Sequence, residues 1–236
     1  MGLLSINLNF EGRWALLIGA GAVGRRKLGA LLAAGAKVRV VEPRPAPWLL
    51  DLAAEGLTLL EKSFSESFLA DEPLVFVATP LNLSSSKSSS NEISQEISLE
   101  DIINLALKKG LWVNVASDPA RSNFFLPALA QDGSFQVAVS TGGASPALAA
   151  RVARELKETY AGYGFFCRLL GRVRPLVLAS DLSSSERRRI FKDLAADAEL
   201  ARLVNQKSLN QDQERAVLER LGHLLAPLRL PGDFAP

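Results

Sequence analysis

The chain has 236 residues, 48% of them hydrophobic, with 27 basic and 25 acidic side chains for a formal net charge of +2. That is enough length and apolar content for one sizeable domain or two small ones with a real core, and so even a charge balance argues against a general polyanion binder. A single cysteine, Cys167, excludes an internal disulfide, no Cys/His spacing resembles a zinc site, and neither a basic leader nor a long apolar run is present, so a cytoplasmic protein without membrane or nucleic-acid partners is expected.

Trp14-Ala-Leu-Leu-Ile18 is a short apolar run closed by glycine, and Leu28, Leu31 and Leu32 then recur at helical spacing. The pattern predicts strand, turn and helix, and Lys37–Val41 follows Gly35 as a second strand. The turn reads Gly19-Ala-Gly-Ala-Val-Gly24, a GxGxxG in which each glycine has its own task. Gly19 allows a tight turn, Gly21 lets backbone approach a pyrophosphate, and Gly24 lets helix and strand pack closely. The free N–H groups of the helix start at Ala22 and Val23 face the phosphates. Glu42 ends the second strand, where a carboxylate can accept the adenosine ribose hydroxyls. Residues 14–42 are therefore read as a Rossmann-type unit for NAD, whose partner NADP a carboxylate at Glu42 would repel; Arg44, two residues on, leaves NADP open.

Leu57–Leu60 is a weaker strand candidate, and Leu74-Val-Phe-Val-Ala78 a strong one, apolar throughout as for a parallel strand covered on both faces. A helix over Leu99–Lys109 and a strand at Leu111–Val115 continue the alternation, which predicts a doubly wound parallel sheet. Between them, Ser84–Ser98 holds eight serines in 15 residues; so few apolar side chains build no buried face, and a surface insertion is expected. After Pro119 the character changes. Gly133–Val139 looks like a hairpin strand; Leu148, Val152, Leu156 and Tyr160 form an i, i+4 stripe, as do Val217, Leu221 and Leu224. Ser183-Ser-Ser-Glu186 has the form of a helix cap. The expected class is α/β: a Rossmann-type parallel sheet domain at 1–118, a small segment at 119–160, and a helical region at 161–236.

Two further stretches carry chemistry. Asn114-Val-Ala-Ser-Asp118-Pro119 leaves a strand end with polar side chains, where open parallel sheets bind ligands. Ser140-Thr-Gly-Gly-Ala-Ser145-Pro146 is a hydroxyl-rich turn entering a helix whose N-terminus could hold an anion. From pattern alone these read equally as an Asp-Pro turn and a capped helix start.

The residues from Ile6 to Tyr160 resemble the precorrin-2 dehydrogenases of siroheme synthesis, including the dehydrogenase/ferrochelatase half of bacterial siroheme synthase. The likeness rests on Gly19–Gly24 followed by Arg25-Arg-Lys27, Ala78-Thr79 with Asn82, Asn114-Val115 with Asp118-Pro119, Asn123-Phe124, Pro127-Ala128, and Val137-Ala-Val-Ser140-Thr-Gly-Gly-Ala-Ser-Pro146. The resemblance implies NAD-dependent oxidation of precorrin-2 to sirohydrochlorin in an intertwined homodimer joined through 119–160, with metal insertion into the product in some relatives. It further implies cofactor contacts from Gly19, Gly21, Ala22, Val23, Gly24, Glu42 and Thr79, and substrate contacts from Asn114, Ser140, Gly142, Gly143 and Ser145. Family members usually carry an aspartate at the position held here by Ser117, so either Asp118 takes the catalytic role from one residue along or the protein works without that aspartate; Asp118 is the candidate base. As a base near neutral pH, an aspartate needs burial or an apolar neighbour.

A polycarboxylate substrate suits the excess of basic residues from Ala147 to Lys192, where ten stand against four acidic ones; a solvated helix face explains them as well. His223, the one histidine, and Cys167 are read as ordinary helix and packing residues, so no metal ligand set is expected. No second βα pattern follows the helical tail, so a methyltransferase domain is not expected. A non-catalytic NAD-sensing module explains residues 14–42 equally well, but gives no reason for the Ser140–Pro146 turn.

Overall fold

The computed structural model describes residues 2–55, 57–60, 66–69, 72–79, 97–204 and 210–225. Most of the serine-rich segment, and Asn82, lie outside them. The chain divides into two compact units, residues 1–126 and 127–236.

The first unit is built on five parallel strands. These are β1 (Trp14–Ile18), β2 (Lys37–Val41), β3 (Thr58–Leu60), β4 (Leu74–Val77) and β5 (Trp112–Val115), in the order β3-β2-β1-β4-β5. The order reverses between β1 and β4, which makes a crevice beyond the strands' carboxyl ends. Successive side chains alternate between two buried faces. Ala15, Leu17, Val38, Val40 and Phe76 pack with Leu28 and Leu31 of α1 (Ala22–Ala33) and Leu49 of α2 (Pro47–Ala54). Leu16, Ile18, Val75, Val77, Val113 and Val115 pack with Ile102, Ile103 and Ala106 of α3 (Leu99–Lys108). Both faces being covered explains why the strands read as continuous apolar runs. Ser98, the last serine of the serine-rich segment, caps α3 by accepting the Asp101 N–H at 3.1 Å.

Strand β5 lies at the sheet edge, and side chains of the returning chain satisfy its outer backbone. The Val113 N–H donates to Asn123 Oδ1 at 2.7 Å, the Val115 N–H to Ser122 Oγ at 2.9 Å, and Asn123 Nδ2 to the Leu111 carbonyl at 2.9 Å. A segment that never becomes a strand thus does a sixth strand's work at an edge that would otherwise invite pairing.

In the second unit β6 (Ala128–Asp132) and β7 (Phe135–Val139) form an antiparallel hairpin, and α4 (Pro146–Thr159) packs on it. The expected stripe of α4 is displaced by one position. Ala149 and Ala153 are its buried residues, whereas Leu148 is 42% exposed and Val152, Leu156 and Tyr160 are half-buried. The small side chains are the ones that α4 buries, and its larger apolar ones stay partly exposed. Helices α5 (Tyr163–Ala179), α6 (Ser184–Ala196), α7 (Ala198–Val204) and α8 (Gln211–Leu225) enclose a core of Phe166, Leu169, Val173, Leu194, Leu200, Val217 and Leu221. Leu224 is half-buried and Leu225 takes its place in that core. Ser183 and Glu186 form the capping box expected at the start of α6.

The start of α5 shows how a distant residue replaces a local cap. Gly162, in the left-handed region at φ 90°, offers no capping side chain, and Asp132 of β6 supplies one: its Oδ2 accepts the Gly162 and Gly164 N–H groups at 2.8 and 2.9 Å. The approach is so close that a Cβ at Gly164 would stand 2.2 Å from the Asp132 carbonyl oxygen.

Candidate dinucleotide and strand-end site

The glycine turn closes as its sequence requires. Gly19 is left-handed (φ 89°), and a side chain there would meet Thr79 at 3.0 Å; a Cβ on Gly24 would stand 2.1 Å from the Gly19 carbonyl oxygen. Gly21, the N-cap of α1, has open space where its Cβ would point, and no side chain caps the helix. The first-turn N–H groups at Ala22, Val23 and Gly24 are therefore left for a ligand, together with the positive end of the helix dipole. These observations fit a dinucleotide pyrophosphate.

Glu42 follows the end of β2 and turns back to the glycine loop. Its Oε2 accepts the Ala20 N–H at 2.9 Å and its Oε1 the Arg44 N–H at 3.1 Å. Each oxygen keeps a lone pair, so the carboxylate can still accept from ribose hydroxyls. Arg25 lies with its guanidinium 4.8 Å above the Trp48 ring of α2. The structure thus brings together all seven expected cofactor residues: Gly19, Gly21, Ala22, Val23 and Gly24 in one turn, Glu42 tied to it through Ala20, and Thr79 against Gly19.

The strand-end residues take different places. Asn114 is 6% exposed and engaged at both ends of its amide: Oδ1 accepts from Lys27 Nζ at 2.5 Å and Nδ2 donates to the Phe124 carbonyl at 2.9 Å. Lys27 of α1 is itself 8% exposed, with its ammonium 5.1 Å from the centre of the Phe76 ring. Burial, and secondarily Arg26, push the Lys27 ammonium down to about 8.

Asp118 follows β5 and caps a short 3₁₀ turn (Pro119–Arg121) by accepting the Ala120 N–H at 3.1 Å. Its other oxygen lies 3.4 Å from Arg121 Nε, and Arg121 in turn bonds Glu100 of α3 at 2.7 Å. Its side chain is 32% exposed, so the burial expected of a base near neutral pH is not found around it among the described residues of this unit.

Ser140, Gly142, Gly143 and Ser145 belong to the second unit. Gly142 and Gly143 are left-handed (φ 63° and 90°); Ser140 Oγ accepts the Gly142 N–H at 3.2 Å, and Ser145 Oγ caps α4 on the Leu148 N–H at 3.2 Å. Thr141 Oγ1 accepts the Ser145 N–H at 3.0 Å, so all three of the loop's hydroxyls accept from local backbone. Among the described basic residues of 147–192, Arg174 stacks on Phe191, Arg187 bonds the Leu178 carbonyl and Arg151 pairs with Glu155. His223 is exposed on α8. Sequence reasoning gave no role to Lys27, Ser122 or Asn123. Their signal is a lysine on the buried face of an amphipathic helix, and two short polar side chains placed opposite an edge strand.

A parallel sheet that reverses order above an uncapped glycine turn, with an acidic residue after β2, defines a dinucleotide-binding protein of the Rossmann type. Residues 6–128 match the family model described as "Putative NAD(P)-binding", and residues 132–159 match that of the sirohaem biosynthesis protein central segment. The chain is 34% identical over 242 residues to siroheme synthase 2 of Aeromonas salmonicida, covering 99% of this chain and 47% of that one. It is 34% identical over 214 residues to siroheme synthase of Nitrosococcus oceani, covering 84% and 43%. The fold is that of the solved structure titled SirC, precorrin-2 dehydrogenase, with a TM-score of 0.67 at 24% identity over 92% of this chain and 98% of that one. The chain belongs to the siroheme synthase family of NAD(P)-binding proteins, and it spans about half the length of the curated relatives it matches. No helix among the described residues is long and apolar enough to cross a membrane.

Proposed function

We propose that this protein is a cytoplasmic, NAD-dependent precorrin-2 dehydrogenase that oxidises precorrin-2 to sirohydrochlorin. The observation that carries the reading is one unit holding a dinucleotide turn answered by Glu42 and, at the end of β5, the partly exposed carboxylate of Asp118, in a chain similar over 99% of its length to a siroheme synthase.

The cofactor supplies the hydride acceptor. The chain's own residues do the rest. The first turn of α1 binds the pyrophosphate, and Glu42 accepts the adenosine ribose hydroxyls and disfavours a 2′-phosphate, which selects NAD over NADP. Asp118 takes the proton that the macrocycle loses with its hydride, held by the Ala120 N–H and Arg121 with a free face toward solvent. Ser140, Gly142, Gly143 and Ser145 serve the substrate carboxylates through the turn that opens α4.

A homodimer through 119–160 belongs to the same reading. It is supported by Leu148 (42% exposed) and Leu129 (49% exposed) on a two-stranded hairpin with one covering helix, a sheet too small to stand alone.

Incubation with precorrin-2 and NAD should give sirohydrochlorin absorbance and NADH fluorescence in step, and Asp118→Ala should slow turnover by about 10²-fold or more. Turnover unchanged in Asp118→Ala removes that residue's role. NAD binding without any turnover sinks the dehydrogenase and favours an NAD-sensing module.

A further inference from the structure

Lys27 is a buried cation to which no carboxylate among the described residues gives a counter-charge. At 8% exposure its ammonium has one neutral acceptor, Asn114 Oδ1 at 2.5 Å, and the face of the Phe76 ring at 5.1 Å. Among the described residues no carboxylate lies within ion-pair distance of it, and the nearest charge acting on it, Arg26, has the same sign. Buried charges are ordinarily paired, because desolvation costs more than a single neutral hydrogen bond returns. A charge kept at that cost, even though burial favours its loss, points to something outside the protein that needs it.

The fold shows what. Phe76 and Asn114 are partners in register on β4 and β5, each one residue before its strand's last position. The ammonium is therefore held just beneath the carboxyl edge, on the far side of the β1/β4 reversal from Glu42. A dinucleotide whose adenosine ribose meets Glu42 and whose pyrophosphate meets α1 extends its second mononucleotide over this half of the sheet. That second half carries a positive ring when oxidised and an uncharged ring when reduced.

We infer that Lys27, held by Asn114, is a specificity-determining residue for the redox state of the cofactor: its buried charge disfavours the cationic nicotinamide relative to the neutral one. The inference rests on the dinucleotide reading above and deepens it. In an oxidation that ends in NADH, such a charge weights the bound equilibrium toward product without touching the reacting atoms. Asn114 has a matching reason to be an amide, since it accepts the Lys27 donor and anchors the Phe124 carbonyl without adding a neutralising charge.

The test is the pair of dissociation constants for NAD⁺ and NADH on the full chain, by calorimetry or fluorescence with no tetrapyrrole present. Lys27→Met removes the charge, Asn114→Asp sets a carboxylate against it, and Lys27→Arg retains it. The ratio of the NAD⁺ constant to the NADH constant should fall about fivefold or more in the first two variants and stay within about twofold of wild type in the third. A packing role alone would weaken both cofactor forms alike and leave the ratio fixed. If Lys27→Met does not fold, Asn114→Asp decides, because it keeps the acceptor for Lys27 and gives up only the donor to the Phe124 carbonyl. A ratio unchanged in Asn114→Asp while both forms bind overturns the inference alone. Failure of both forms to bind wild type overturns the dinucleotide reading and this inference with it.

Discussion

Lys27→Met has a stability signature that needs no substrate. In the folded protein burial lowers the Lys27 ammonium from 10.5 to about 8, so between those values the unfolded chain binds more protons than the native one, and stability rises with pH. Below about 8 both states are protonated and the full cost of burying the charge is present; above 10.5 neither is, and the cost has gone. The 2.5-unit difference between the two values corresponds to about 3 kcal/mol in full. Between pH 7 and pH 9.5, before ordinary lysines titrate, about 2 kcal/mol of it should be recovered. Lys27→Met should abolish this gain. At pH 7 the variant loses the desolvation cost but leaves Asn114 Oδ1 without its donor, a penalty of about 1–3 kcal/mol, so its net stability there should lie close to wild type. Urea unfolding of both proteins at pH 7 and pH 9.5 measures the difference of differences, in which titrations common to both cancel. If wild type and Lys27→Met respond alike to that pH change, within about 0.5 kcal/mol, the ammonium is not a buried charge and the reasoning fails.

Gly24→Ala would drive a Cβ to 2.1 Å from the Gly19 carbonyl oxygen; the turn must open, and NADH fluorescence titration should show binding weakened by about 10²-fold or more, equivalent to about 3 kcal/mol of lost turn geometry. Near-normal affinity would mean that the turn does not carry the pyrophosphate. Gly164→Ala places a Cβ 2.2 Å from the Asp132 carbonyl oxygen and should destabilise the second unit by about 3 kcal/mol or more. Asp132→Ala, which only strands the Gly162 and Gly164 N–H groups, should cost less, about 1–2 kcal/mol. Equal costs in chemical denaturation would show that the close approach at Gly164 is relieved cheaply.

Much of the first unit was legible because its signals are local. The apolar runs of β1, β4 and β5 announce strands buried on both faces, and GxGxxG announces a turn whose first glycine takes a left-handed φ and whose last leaves no room for a Cβ. The second unit was less so. Strand β6 reads Ala-Leu-Ala-Gln-Asp, with no β-branched residue, and exists through its register with β7 and the cover of α4, both tertiary facts that override propensity. The stripe of α4 was visible, but the residues that the helix buries, Ala149 and Ala153, lie one position beside it. A sequence shows which residues are large and apolar, and the Ala149 and Ala153 face packs by being small enough for close approach.

The site divides along the same line. The glycines and Glu42 are legible from motif spacing, since a pyrophosphate and a ribose stand at set distances from a βαβ turn, whereas Thr79 is implied only by the family resemblance. Asn114 was legible as a polar residue at a strand end, and so as a ligand contact, but its two bonds are made to Lys27 and Phe124, 87 and 10 residues away. A polar residue near a sheet's carboxyl edge can face the crevice or support it from below, and only the alternation of β5 against β4 decides which. Asn114 shares a face with Phe76 and Lys27, inside the α1 layer. In the inference proposed above, its chemistry is exerted through the charge it holds. In the reading proposed above, Asp118, one turn beyond the strand with part of its carboxylate exposed, is then the strand-end carboxylate of this unit that meets the macrocycle directly.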